Sequence, residues 1–178
     1  MPLSPTVLFD DRIQVLHDRV KVGKVRPITE KEYCVRGCTA LLDAIGEAIH
    51  HMGNINKYAR PQDVPEHILF IITTDGMENA SRRDSVQQVK EMIQHQKEKY
   101  GWEFLFLGAN IDAVETVDQL GIAPDRAVNY HSDREGTRLN YYYQVVGQAV
   151  AAIRCSAPLD EHWKDAIEED FRKRGKQG

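Results

Sequence analysis

The chain has 178 residues, 42% of them hydrophobic, which is enough to bury one sizeable core and too few for two full-sized domains. Its 23 Lys plus Arg against 27 Asp plus Glu leave a formal charge of −4 scattered along the sequence, a balance that argues against a nucleic-acid partner. The longest apolar run, Ile68-Leu69-Phe70-Ile71-Ile72, is far short of the roughly 20 residues that cross a bilayer. No membrane association is therefore expected, and Met1-Pro2-Leu3-Ser4-Pro5 has neither the basic nor the apolar region of an export signal. The three cysteines, Cys34, Cys38 and Cys155, form no C-x-x-C pair and fit reduced thiols in a cytoplasmic protein. One domain over 1–157 is expected, with 158–178 a charged tail that forms a short amphipathic helix at most.

Residues 6–22 carry β-branched and apolar residues on both sides of Asp10-Asp11-Arg12, the pattern of a β-hairpin. The stretch 23–38, with Gly23, Pro27 and Gly37, has loop composition. A helix follows from near residue 39, because Leu41, Leu42, Ile45, Ala48, Ile49 and Met52 recur at helical spacing. His67 to Thr74 is nearly unbroken in apolar character, which predicts a strand covered on both faces of a parallel sheet. A helix over roughly 84–100 with Val86, Val89, Ile93 and Tyr100 inward leads to a second buried strand over 102–107. Then come a short helix from Ala113 to Leu120 ended by Gly121, a short strand from Ala127 to Tyr130, and a helix over 137–154. Consecutive Tyr141, Tyr142 and Tyr143 on that last helix point in different directions, so one or two of them suit an interface.

Strands alternating with helices imply an α/β fold: a doubly wound, mostly parallel sheet with helices on both faces and an N-terminal hairpin. Ligands of such sheets gather beyond the carboxyl ends of the strands. Two loops lie there, Thr74-Asp75-Gly76-Met77-Glu78-Asn79 and Gly108-Ala109-Asn110-Ile111-Asp112. No Gly-rich phosphate loop follows any strand. The seven histidines are not spaced with a carboxylate or cysteine as a catalytic or metal set would be.

Gly37-Cys38-Thr39-Ala40-Leu41-Leu42-Asp43-Ala44-Ile45 and Ile71-Ile72-Thr73-Thr74-Asp75-Gly76 resemble two of the three segments of the metal-ion-dependent adhesion site of von Willebrand factor A domains. Phe9-Asp10-Asp11-Arg12, the stretch Lys99 to Asn110, and Arg126-Ala127-Val128-Asn129-Tyr130-His131 also look like a group of small bacterial A-domain proteins, so the resemblance covers nearly the whole chain. It implies Mg²⁺ or Mn²⁺ as cofactor, with Thr39 supplying a hydroxyl and Asp75 a carboxylate to the metal. Without the resemblance, Thr39 reads as a helix N-cap and Asp75 as a turn residue before Gly76. The third segment of the family's site, a D-x-S-x-S loop after a first strand, occurs nowhere in the sequence. The resemblance thus implies a truncated A-like domain missing its first central strand, with an incomplete adhesion site and weak or absent metal binding. Oligomerisation is the expected physical consequence of that missing strand.

The function this implies is protein–protein recognition without catalysis. The partner would be a protein, with ATPases among the partners of such modules. Cys38, Gly76, Glu78, Asn79, Asn110 and Asp112, which flank the two metal candidates or lie on the carboxyl-edge loops, are the candidate partner-binding residues. The competing expectation is an α/β hydrolase or nucleotide-binding protein using the same loops, for which no nucleophile can be assigned. A third is a chain with no activity of its own.

Overall fold

A computed structural model describes residues 3–26, 28–29, 37–109, 111–131 and 137–175, with side chains for all of these except 137–145 and 175. The chain divides into two compact units, one comprising Met1–Tyr58 with Glu78–Val89 and the other Ala59–Met77 with Lys90–Gly178. Mixed α/β structure is distributed over both.

The first unit opens with the expected hairpin, β1 (Leu3–Phe9) antiparallel to β2 (Ile13–Lys21), a two-stranded sheet of its own. Asp10 closes the turn, its Oδ1 accepting the Arg12 N–H at 2.6 Å while its own N–H donates to the Arg12 carbonyl. The register Phe9↔Ile13, Leu8↔Gln14, Val7↔Val15 shifts on either side of Thr6. Pro5, which has no N–H to give a ladder, falls within the first irregularity, and Arg19 takes a left-handed φ of 52° on the facing strand.

Helix α1 (Leu41–Tyr58) buries Leu41, Leu42, Ala44, Ile45, Ile49 and Met52, the face that the apolar spacing predicts. The Ala40 N–H donates to the Asp10 carbonyl at 2.7 Å, fastening the start of the helix to the hairpin turn. Farther along, His51 Nε2 meets Asp18 Oδ1 at 3.2 Å.

The second unit is built on three parallel strands, β3 (Leu69–Thr74), β4 (Glu103–Gly108) and β5 (Ala127–Asn129), ordered β3-β4-β5. Leu69 pairs with Glu103 through to Thr74 with Gly108, and Phe106 pairs with Ala127. The central strand carries the core: Phe104, Leu105, Phe106 and Leu107 are all buried, and Leu105 and Leu107 pack with Val128, Val146, Ala149, Ile153, Leu159 and Ile167. Each such side chain removed from water contributes roughly 1.5 to 3 kcal/mol, so this cluster stabilises the unit substantially.

β3 departs from expectation. Ile72 and Thr74 are buried, but Ile71 is 40% exposed and Thr73 is exposed, so one face is open. Among the described residues β3 pairs only with β4, and its uninterrupted apolar run does not make it the most buried strand, which is β4. Helix α2 (Val86–Tyr100), which runs from the first unit into the second, differs similarly. Val89 and Ile93 are fully buried, whereas Val86 and Tyr100, at its two ends, are exposed.

Helix α3 (Ala113–Leu120) is capped at both ends, by the Asp112 carboxylate on the Glu115 N–H and by Gly121, whose φ of 71° suits a left-handed C-cap. Helix α4 (Thr137–Arg154) supplies Val146, Ala149 and Ile153 to the core. Beyond Pro158 the chain forms a short 3-10 turn and α5 (Asp165–Gly175), whose Ile167 joins the same core. That last segment is held further by Trp163 Nε1 on the Asp125 carbonyl at 2.8 Å and by His131 stacked on Phe171 at 4.4 Å. No helix among the described residues is long and apolar enough to cross a membrane.

Candidate functional site

The most elaborate polar structure lies in the first unit, where the segment from Glu78 to Asp84 is tied to the start of α1. A helix leaves its first backbone N–H groups without partners, and here two of them are satisfied by side chains distant in sequence. Glu78 Oε2 accepts the Leu42 N–H at 2.9 Å, and Ser81 Oγ accepts the Asp43 N–H at 3.1 Å. Glu78 also folds its own segment: Oε1 accepts the N–H groups of Ala80 and Ser81, and Oε2 takes the Ser81 hydroxyl at 2.8 Å.

Asp43 returns the contact. Only 7% exposed on the buried side of α1, it accepts the Arg82 N–H on Oδ2 and the Arg83 and Asp84 N–H groups on Oδ1, all within 3.0 Å. Arg83 lies 3.6 Å from Asp43 and 2.8 Å from Glu47. The segment approaches so closely that a Cβ on Gly46 would collide with the Asp84 carboxylate. Beside this contact is a polar cavity of about 240 Å³ lined by Asp11, Ile13, Ala40, Asp43, Glu47 and Arg83.

The electrostatics follow from this geometry. Burial pushes the Asp43 carboxyl up, but the three backbone N–H bonds and the Arg83 charge outweigh it and hold the group below its ordinary 3.8. Glu78 is likewise pushed up by desolvation and brought below its ordinary 4.5 by the N–H groups of Ser81, Leu42 and Ala80 and the Ser81 hydroxyl. Both are therefore ionised acceptors near neutral pH, and a negative charge at a helix N-terminus is also favoured by the helix dipole. With their oxygens occupied by donors, they serve as clamps and are poorly suited to moving a proton or ligating a metal.

Of the residues the sequence singles out, Thr39, Glu78 and Asn79 come together. Asn79 Oδ1 accepts the Thr39 N–H at 2.9 Å and the Asn79 N–H donates to the Thr39 carbonyl at 3.1 Å, so the Thr39 backbone is fixed from both sides. Among the described residues its hydroxyl makes no hydrogen bond. Cys38 is an exposed free thiol just before it.

Asp75 and Gly76 belong to the second unit. Thr74 Oγ1 bridges the turn there, donating to the Gly76 carbonyl at 2.9 Å, and Asp75 is exposed. Asp112 is engaged as the N-cap of α3, where Asn129 Oδ1 adds a bond to the Ala113 N–H. Asn110 and Cys34 lie outside the described residues, as do the side chains of Tyr141, Tyr142 and Tyr143.

Asp43, Ser81, Glu47 and Arg83 were not singled out from the sequence. One signal was available for Asp43: a carboxylate between Leu42 and Ile45 on an apolar helix face needs partners once buried.

Divalent chemistry is not supported by this donor set. Mg²⁺ takes about six oxygens, whereas at the start of α1 the Asp43 and Glu78 carboxylates already accept N–H groups. Among the described residues no group of three or more His, Cys, Asp or Glu side chains is arranged to hold a metal ion.

A second cavity, of about 220 Å³, lies in the second unit among Lys97, Glu103, Phe104, Ile122, Ala123, Asp125 and Arg126. Its cations are already engaged, Arg126 with Asp125 and Glu103 and Lys97 with the Gly121 carbonyl.

No protein-family model, curated protein or solved structure compared with the chain matches it.

Proposed function

We propose that the chain is a cytoplasmic, non-enzymatic protein-recognition module of the von Willebrand factor A type. In this reading the sheet belongs to a doubly wound A-type fold missing its first central strand, and the adhesion site is incomplete. The observation that carries it is the clamp of Glu78 and Asn79 onto Thr39 and Leu42. It fixes the threonine of the resemblance at a helix start by its backbone and leaves its hydroxyl without a hydrogen bond among the described residues, an arrangement that suits a recognition surface and supplies no base to activate a nucleophile. Cys38, Thr39 and Asn79 form the recognition edge of the first unit, and Glu78 shapes it without contacting the partner; Asp75 and Gly76 are the candidates that the resemblance adds on the second unit. Mg²⁺ or Mn²⁺ binds this chain weakly or not at all, since the two candidate donors are too few.

Calorimetric titration of Mn²⁺ into the chain, beside Thr39→Ala and Asp75→Ala variants, tests the proposal. No saturable heat is expected from any of the three. Tight binding that survives both substitutions would contradict it, because the metal would then sit elsewhere. Steady turnover of a phosphate or carboxyl ester abolished by Glu78→Gln would favour the hydrolase reading instead.

A further inference from the structure

The cavity of about 220 Å³ in the second unit is lined by residues of that unit alone and lies at the amino end of β4, where Glu103 begins the strand. Phe104 and Ile122, 2% and 3% exposed, give it an apolar wall. Two cations, Lys97 and Arg126, and two carboxylates, Glu103 and Asp125, supply its polar lining.

These charges are unequally engaged. Arg126 Nη1 donates to Asp125 Oδ2 at 2.6 Å. Its Nε lies 3.6 Å from Glu103 Oε2, an ion pair too long for a hydrogen bond, and among the described residues the Glu103 carboxylate accepts none. Lys97 gives one of its three N–H groups to the Gly121 carbonyl at 3.2 Å and forms no ion pair among the described residues. The cavity thus holds an ammonium and a carboxylate that are not paired with each other and keep hydrogen-bonding capacity.

The walls are fixed by contacts of their own. The Arg126 N–H closes the 3-10 turn Pro124–Arg126 on the Ala123 carbonyl at 2.9 Å. Trp163 Nε1 on the Asp125 carbonyl and Lys164 Nζ on the Pro124 carbonyl, at 2.8 and 3.0 Å, brace that turn. The bond of Lys97 to Gly121, the C-cap of α3, sets the position of its ammonium. Walls ordered in advance lower the cost of binding a small ligand.

From this geometry we infer that the cavity binds a free α-amino acid with a small apolar side chain. Its carboxylate meets Lys97, its ammonium meets Glu103, and its side chain lies against Phe104 and Ile122. Charge balance selects this class. A simple anion would face Glu103 and Asp125, and a simple amine would face Lys97 and Arg126, whereas a zwitterion finds an opposite charge for each of its ends. Size agrees, since the volume equals that of roughly seven waters at about 30 Å³ each, close to the heavy-atom count of a small amino acid. The ligand is held and not transformed. This inference concerns the second unit and does not depend on the recognition-module proposal.

Amide chemical shifts of the ¹⁵N-labelled chain, followed while L-valine is added, are the test. Saturable shifts are expected at Lys97, Phe104, Ile122 and Ala123. Isobutyrate and isobutylamine, which each carry one of the two charges, should bind about tenfold more weakly or worse. Lys97→Met and Glu103→Gln should each weaken L-valine binding by about the same factor while leaving the rest of the spectrum in place. The comparison of the three ligands on the unmutated chain stands even if a variant fails to fold. An absence of saturable shifts with L-valine, binding of either half-ligand as tight as that of L-valine, or a folded variant that binds L-valine unchanged would each overturn the inference.

Discussion

Glu78 and Leu42 are separated by 36 positions in sequence, yet the Glu78 carboxylate receives the Leu42 N–H at 2.9 Å and caps the helix from a remote segment. Most helices are capped by the residue that precedes them. Here the cap comes from the segment it anchors, so helix start and loop are fixed by the same bonds.

Glu78→Ala removes the acceptor of four hydrogen bonds at once. Because the site is half-buried and water can replace part of the loss, a destabilisation of about 1 to 3 kcal/mol is expected in urea unfolding. Glu78→Gln, which keeps one carbonyl acceptor, should cost less. Equal stability of Glu78→Ala and the unmutated chain would mean the clamp contributes nothing.

Acid should loosen the same contact. Asp43 and Glu78 have folded-state values below their ordinary 3.8 and 4.5, so the folded chain binds fewer protons than the unfolded one. Their stabilisation is then fully present above the ordinary carboxylate range and is lost as pH falls through the depressed folded values. The urea midpoint should be flat near neutrality and drop below about pH 4.5. Asp43→Asn should flatten that acid limb while lowering the neutral plateau; a limb of unchanged steepness would assign the acid sensitivity to other carboxylates.

Gly46 lies within α1, where alanine is ordinarily the better helix former by about 1 kcal/mol. The collision of its added Cβ with Asp84 reverses that sign, and Gly46→Ala is expected to destabilise the first unit by about 1 to 3 kcal/mol. In an Asp84→Ala background the same substitution should become neutral or stabilising. Thermal unfolding of the four chains gives the coupling directly, and additivity would contradict the close approach.

Asp112→Ala should cost about 1 kcal/mol, the usual loss for an N-cap carboxylate, because its Oδ1 holds the Glu115 N–H at 3.0 Å. Asp112→Asn or Asp112→Ser should restore most of this. A larger loss than an N-cap explains, unrescued by either residue, would point to a further contact.

The elements were largely legible in the sequence, because apolar spacing is written locally: Leu41 through Met52 announced α1, and Gly121 marked the end of α3. What the sequence concealed was long-range. An apolar run such as Leu69 to Ile72 reports a wish to be buried but not which neighbours exist, so the open face of β3 was not foreseeable. Glu78 and Asn79 were noticed for lying on a carboxyl-edge loop, but their bonds to Leu42 and Thr39 are tertiary and leave no spacing signature. Leu159 and Ile167 sit in so charged a stretch that their place in the core was masked by the residues around them.

The recognition-module proposal is tested most directly by restoring what the resemblance finds missing. A segment carrying a strand, a D-x-S-x-S loop and a helix would be fused ahead of Leu3, and Mn²⁺ binding measured by calorimetry. Saturable one-to-one binding, absent from the unfused chain and abolished by either Thr39→Ala or Asp75→Ala, is the expected result. A fused chain that is folded and binds no Mn²⁺, or binds it regardless of both substitutions, would contradict the assignment of Thr39 and Asp75 to an adhesion-type site.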